Sequence, residues 1–506
     1  MGNQCGGKIN PRTIKWLQVR WQVHKDRVRT QEDSKNHRMG SVGQTATGHR
    51  RRVLFFSLPY QGHINPMFQL AGLLHARGFA VTVFHTHFNA PDASQHPAYD
   101  FVPVQFDGTP ADSADTVRVT VEHVLAVNRA CEAPFRERLA ALLEEEEEEV
   151  ACLVADAHLL TLMDVARGLG VPTLALRTGS AACFRWFMAF PMLCDKGYLS
   201  SHVAESQEPD MLVTELPPYR VRDMPSASGA TLGLMRDLIS RAVTAVNASS
   251  GLIINTFDAL ETDELASLRR GLAVPVFDIG PLHVHSPAAS SSLLRQDRGC
   301  LDWLDARGPA SVLYVSFGSL ASMSAADLVE TAWGIANSGR PFLWVLRPGL
   351  VRGAPPSQPP PLPDGFHAET RGRGTVVSWA PQEEVLAHPA VGAFWTHCGW
   401  NSTLEGVCAG VPMLCRPCFG DQMGNARYVD HVWRTGLALH GELERGKVEA
   451  AISTMMGAGG PGTALRGRAR ELCRRAAECM AKAGSSDLNV DKLVNHIMSL
   501  TARRCQ

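Results

Sequence analysis

Apolar residues in this chain gather into short unbroken runs, and between the runs they recur at helical spacing. Val53 to Leu58 is the first run; its lack of polar alternation is what a strand buried on both faces requires. A helix is predicted next, with Asn65 as its cap, Pro66 in its first turn, Leu70, Leu73 and Leu74 on one face and Gly78 as the stop. Phe79 to Phe84 is the second strand, and further strands are predicted over 151–155, 172–176, 252–257 and 274–279. Amphipathic stretches separate them, so the fold class is α/β, with parallel strands covered by helices on both faces.

The alternation breaks once. Between His283 and Arg298 the composition shifts to Pro, Ala and Ser without periodicity, which reads as a linker. A second α/β pattern then starts at Val312–Phe317 and continues through 342–346, 375–378, 391–396 and 411–414. Long helices are predicted over about 462–482 and 487–499. Gly353 to Pro363, with six prolines, reads as an exposed irregular loop. Two Rossmann-like domains facing across a cleft are expected, 51–282 and 299–480, joined by the 283–298 linker and followed by a helix and tail over 481–506. In such sheets ligands bind at the carboxyl ends of strands, where both Gln61–His63 and Trp395–Asn401 fall.

At 506 residues the chain is too long for one ordinary core, which agrees with two domains. A net charge of −1 supplies no field for nucleic acid or an anionic membrane, so a small-molecule partner is expected. No apolar stretch approaches the roughly 18 to 20 residues that span a bilayer, and no secretory h-region opens the chain. A cytoplasmic monomer is the resulting expectation. Residues 1–50 are expected to be a disordered extension; the first 38 carry nine Lys and Arg against three Asp and Glu, and Met39 is an alternative start. Thirteen scattered cysteines read as reduced, buried thiols, and Cys415-Arg-Pro-Cys418 lacks the second pair a zinc site needs. Glu144 to Glu149 close an Arg136–Leu143 helix with charge that opposes its dipole, and should fray into solvent.

The densest chemistry lies between residues 379 and 422. Trp379 offers an aromatic face to a base, Glu405 a carboxylate to a ribose diol, and Asp421-Gln422 hydrogen bonds to sugar hydroxyls. His397 stands beside a helix expected to start near Asn401, whose free N–H groups and positive end suit a diphosphate. That dipole contributes only about 0.3 to 1 kcal/mol, up to 2 when partly buried, so His397, Asn401 and Ser402 are needed as well. Ser316-Phe-Gly318-Ser319 is a small-residue turn after another strand that brings a further donor close. Two plainer readings stay open on spacing alone: Ser402-Thr-Leu-Glu405 is a capping box that needs no ligand, and Trp379 is a core aromatic. In the first half, His63 suits general-base work at neutral pH, and Asp156, at a strand end, suits holding its other ring nitrogen. A His after a strand is more often an ordinary loop residue, and Asp164 and His158 are rival partners.

Trp379-Ala380-Pro-Gln382, His397-Cys-Gly399-Trp400-Asn401-Ser402, Glu405 and Asp421-Gln422 together resemble the signature box of plant family 1 UDP-glycosyltransferases. The resemblance extends over about residues 51–499 and implies GT-B architecture. It implies inverting transfer of glucose from UDP-glucose, with no cofactor and no metal, in keeping with the lack of an Asp-x-Asp pair around the donor segments. It also implies roles: His63 as base oriented by Asp156, Trp379, Ala380 and Gln382 at the nucleoside, Glu405 at the ribose, and His397, Asn401, Ser402 and Ser319 at the phosphates. Thr178, Trp400, Asp421 and Gln422 would meet the sugar. Leu216-Pro-Pro-Tyr-Arg-Val-Arg-Asp-Met-Pro225 and Tyr60 to Pro66 look most like the branch holding benzoxazinone and cytokinin glucosyltransferases, so the acceptor expected is a small lipophilic benzoxazinone, phenol or cytokinin. The aromatic usual in the family at the position of His158 is missing, which puts the acceptor pocket's shape in question. Two other readings remain: a UDP-sugar epimerase or hydrolase on the same fold, and a silent nucleotide-sugar binder. Gly441 to Val448 mimics a P-loop but ends without the hydroxyl that Mg²⁺ requires, and no G-x-G-x-x-G follows a strand.

Overall fold

The computed structural model describes residues 51–110, 116–145, 149–199, 209–224, 229–285, 292–355 and 357–500. The N-terminal extension, the Glu146–Glu148 part of the glutamate run and the middle of the linker lie outside them.

The first domain is a parallel sheet of β1 (Arg52–Phe56), β2 (Ala80–His85), β3 (Asp100–Pro103), β4 (Val150–Asp156), β5 (Thr173–Arg177), β6 (Leu252–Ile254) and β7 (Val276–Asp278). Their order is β3-β2-β1-β4-β5-β6-β7. The second is built from β8 (Val312–Ser316), β9 (Phe342–Val345), β10 (Gly374–Val377), β11 (Val391–Thr396), β12 (Met413–Cys415) and β13 (Gly436–Ala438), ordered β10-β9-β8-β11-β12-β13. Every residue of β1, β4, β5, β8 and β11 is buried, as their unbroken apolar runs demand. The strand order reverses between β1 and β4 in one sheet and between β8 and β11 in the other. A crevice opens at each switch point because successive helices leave to opposite faces. The carboxyl ends of β1, β4, β8 and β11 lead to His63 in the first turn of the following helix, to Asp156 as the last residue of β4, and to Ser319 and His397 in the turns after β8 and β11.

Each sheet has a core on both faces. In one of them Phe135, from helix Thr116–Glu145, stands edge-on to Phe84 with ring centroids 5.0 Å apart and tilts against Phe56 at 5.5 Å. The predicted Arg136–Leu143 helix is the last part of this 30-residue helix. Glu144 and Glu145 remain helical, and Glu149 pairs with Arg51 at 3.1 Å.

The first helix departs from its predicted start. It runs Gln61–Ala76 behind an extended Tyr60, so Asn65 is no cap, Pro66 lies inside, and His63 sits in the first turn. Pro66 has no N–H for the Gly62 carbonyl four residues back. Asn401 Nδ2, from the other domain, donates to that carbonyl at 3.0 Å. The edge strands β3 and β13 went unpredicted because Asp100-Phe-Val-Pro103 and Gly436-Leu-Ala438 contain no apolar run. The linker is pinned at several points. It opens in a short helix, Leu282–His285; farther on, Leu293 N donates to Gln61 Oε1 at 2.6 Å, Asp297 N to Trp379 O at 2.9 Å, and Arg298 forks onto Glu384 at 2.6 and 2.7 Å. The last helix, Ser485–Ser499, returns to the first domain, where Val490, Leu493 and Ile497 join the core under β1 and β4. The eleven described cysteines are free thiols.

Truncating Phe135 to Ala should remove both ring contacts and cost about 3 to 5 kcal/mol. Urea unfolding followed by circular dichroism is expected to show an earlier midpoint for the transition of this domain than in the unsubstituted protein.

Candidate active site

The two crevices face each other and enclose one cavity of about 1550 Å³. Of the site residues that the resemblance implies, all but Asp156 line it. Asp156 lies immediately behind, 1% exposed, at the end of β4.

On the first-domain side, His63 Nδ1 donates to Asp156 Oδ2 at 2.6 Å, which leaves Nε2 as the nitrogen open to the cavity. Thr178 Oγ1 stands 3.1 Å from the same Nδ1, so Thr178 is placed against the imidazole as well as along the wall. The second oxygen of Asp156 is also engaged. Oδ1 accepts from the His158 backbone N–H and from His158 Nδ1, both at 3.0 Å. Burial alone would raise the Asp156 carboxyl, but the two imidazoles, through charge and hydrogen bonds, outweigh it and hold the group well below the usual carboxylate range. Asp164, the other rival, is turned outward onto Arg167. His158 in turn accepts from Arg177 Nη1 at 3.1 Å, and the guanidinium lies 4.4 Å over the ring of Phe187. His158 and Arg177 were not recognised as one unit from sequence. The only trace is a cation closing the apolar run of β5.

On the second-domain side, His397 follows β11 with its ring between two glycines. A Cβ on Gly318 or on Gly399 would come within 2.5 Å of the imidazole, and Gly318 holds φ +68°. Burial and the Arg347 cation pull His397 down to about 4, so the ring is neutral at pH 7. His397 Nδ1 and Asn401 Oδ1 have no hydrogen-bond partner among the described residues. They lie beside the start of helix Trp400–Ala409, where a ligand hydroxyl would donate to Asn401 Oδ1 and a ligand oxygen would meet His397.

That helix has Gly399 as its N-cap and no side-chain cap, which overturns the capping-box reading of Ser402 and Glu405. Ser402 is the third helical residue. Instead, Gln382 Nε2 donates to Ser402 Oγ at 2.8 Å and to Glu405 Oε2 at 2.6 Å, while Tyr314 OH donates to Gln382 Oε1 at 3.0 Å. Burial pushes Glu405 up to about 7 against the opposing Gln382 bond. Trp379 is half-buried beside these groups and Ala380 is buried next to it. Trp400 lines the cavity while its indole donates to Asn255 O at 2.7 Å across the domain seam. Gln422 accepts from the N–H groups of Cys418 and Phe419 at 2.8 and 3.2 Å, which leaves its NH₂ for a ligand. Asp421 accepts from Asn425 Nδ2 at 3.1 Å, and Ser319 lies half-buried in the cavity wall.

A family model described as UDP-glucoronosyl and UDP-glucosyl transferase matches residues 277–459. The DIMBOA UDP-glucosyltransferase BX8 of Zea mays is 49% identical over 458 residues, 88% of this chain and 98% of that protein. UDP-glycosyltransferase 76B1 of Arabidopsis thaliana is 42% identical over 455 residues, again 88% of this chain and 98% of that one. Phytolacca americana UGT2, solved with UDP-2fluoro-glucose and pterostilbene, superposes with a TM-score of 0.74 at 26% identity, covering 89% of this chain and 100% of that one. The fold is GT-B, and the molecule is a UDP-glycosyltransferase. The chain belongs to the UDP-glucuronosyl and UDP-glucosyl transferase family, among its plant members. Among the described residues no helix is long and apolar enough to cross a membrane.

Glu405 gives a pH test. We propose that a ribose diol donates to the ionised carboxylate; binding then draws on the form present above pH 7 and is lost as pH falls through 7. Uridine, which carries no phosphate to titrate, should bind roughly tenfold more weakly at pH 6 than at pH 8, the loss for one carboxylate with a pKa near 7. Calorimetry on Glu405→Gln should show weak binding with a flat pH dependence.

Proposed function

We propose that this protein transfers glucose from UDP-glucose, with inversion, to a hydroxyl of a small lipophilic plant metabolite. The observation that carries the reading is the His63–Asp156 bond of 2.6 Å, with His63 on one cavity wall and the His397 and Asn401 seat on the other. The acceptor oxygen attacks the anomeric carbon as the bond from that carbon to the β-phosphate oxygen breaks. The acceptor's proton passes to His63 Nε2, and the imidazolium that forms is stabilised by Asp156, which stays ionised. UDP departs towards His397, Ser402 and the backbone N–H groups at the N-terminus of helix Trp400–Ala409, that of Asn401 among them, which take the role a metal ion plays in other transferases. Trp379 and Ala380 meet the uracil, Glu405 the ribose, and Ser319 a phosphate. Asp421, Gln422 and Thr178 meet the glucose. UDP-glucose is then a co-substrate, and the scheme uses no further cofactor.

The acceptor end is apolar, walled by Trp186, Phe187, Met235, Leu238 and Ile239, which supports a lipophilic hydroxyl compound. Identity of 49% to an enzyme named for DIMBOA favours a benzoxazinone acceptor over a phenol or cytokinin.

UDP release from UDP-glucose should depend on added acceptor, be highest with DIMBOA, and yield a glucoside by mass spectrometry. Release without acceptor would support a hydrolase or epimerase instead. His63→Ala is expected to lower the transfer rate roughly 10²- to 10⁴-fold while UDP still binds. Full activity of that variant towards an unactivated alcohol would remove His63 as the base.

A further inference from the structure

His158 stands where the resemblance expects an aromatic ring, and the structure gives it two polar partners. Its Nδ1 reaches Asp156 Oδ1 at 3.0 Å, and its Nε2 receives Arg177 Nη1 at 3.1 Å. An imidazole nitrogen that accepts from a guanidinium cannot carry a proton, so the proton of the neutral ring is on Nδ1 and is donated to Asp156. Arg177 is fixed for this task. It is 5% exposed, stacked 4.4 Å over Phe187, and its Nη2 donates to Cys183 Sγ at 3.1 Å. Arg177, His158, Asp156 and His63 therefore form one continuous hydrogen-bonded chain. His63, Asp156 and His158 also lie close enough to group around a metal ion, but both Nδ1 atoms and both Asp156 carboxylate oxygens are already joined by hydrogen bonds in this chain.

We infer that His158, clamped by Arg177, is a positioning residue for the base: it holds the second oxygen of Asp156, so the carboxylate presents Oδ2 to His63 Nδ1. The inference rests on the reading of His63 as general base. The charged and titratable groups facing His158 are Asp156, His63, whose ring centroid is 6.0 Å away, and Arg177; Phe187 closes the remaining side at 5.8 Å. Burial, with Arg177 adding to it, lowers His158 from its ordinary value against the opposing pull of Asp156, in agreement with a neutral ring. The backbone N–H of His158 also reaches Oδ1, a bond that any replacement side chain keeps. A variant at this position thus alters one hydrogen bond to the carboxylate and not the loop that holds it.

The test compares His158→Phe, His158→Asn and Arg177→Met in the full chain, with UDP binding as the check on folding and His63→Ala as the reference. His158→Phe removes the side-chain donor and should lower kcat roughly ten- to hundredfold, the loss typical of a hydrogen bond to a charged group. It should leave KM for UDP-glucose unchanged and move the acid limb of the kcat/KM profile to higher pH, because Asp156 then places its whole charge on the imidazolium. In His158→Asn, the amide Nδ2 stands in for Nδ1, so kcat and the acid limb should return close to those of the unsubstituted enzyme. Arg177→Met frees His158 Nε2 to take a proton and should steepen the acid limb from one ionisation to two. Unchanged kcat and acid limb in His158→Phe would overturn the inference, as would equal losses in the Phe and Asn variants with no movement along pH. If His63→Ala itself retained full rate, the base assignment would fail, a result distinct from either of these.

Discussion

A carboxylate buried at the end of a central strand has few stable arrangements, because an ionised group taken out of water must find compensating partners for its oxygens. Asp156 is such a group, and the architecture of the first crevice follows from satisfying it. One oxygen takes His63 and the other takes both the side chain and backbone of His158. Arg177 and Thr178, from the end of β5 and just beyond, complete the surroundings. The order β1-β4-β5 brings these three carboxyl ends side by side. A dyad described by its two members alone would omit the groups that hold the acid in place.

The two domains meet through specific polar contacts as well as packing. Trp400 donates to Asn255 O at 2.7 Å, Asn425 joins Ser180 Oγ at 3.2 Å to Cys398 O at 3.0 Å, and Tyr428 OH donates to Glu264 at 2.7 Å. Arg427 and Asp223, both buried, pair at 2.6 Å. These groups of the second domain lie on the segments around Cys398 and Gln422, while Asp223 lines the cavity from the first domain. The two walls of the cavity are thereby built on shared contacts. Losing one partner of the Arg427–Asp223 pair would leave a buried charge uncompensated.

Much of this was legible in the sequence, for stated reasons. The run Val391–Thr396 coincides with β11 because a strand covered on both faces leaves no room for polar alternation. The signature residues lie in one stretch of chain, so their shared cavity was expected from the resemblance that this stretch carries. What failed was tertiary. Gly62 and Pro66 disfavour a helix start at Gln61, but Leu293, Asn401 and Asp156 hold that turn from three distant segments. Ser402 and Glu405 have capping-box spacing, yet the helix begins two residues before Ser402, so the pattern falls out of register with the end it would cap. His158 and Arg177 are 19 residues apart on neighbouring strand ends, and no local period links them.

The proline inside the first helix gives the cleft a further property. Because Pro66 offers no N–H, the Gly62 carbonyl is available to Asn401, an amide placed beside the phosphate seat of the opposite domain. The bonded carbonyl belongs to the residue immediately before His63. Separating the domains therefore breaks a bond in the turn that aims His63. Cleft opening and imidazole alignment become a single mechanical coordinate, so an open molecule is also one whose His63 is less well held.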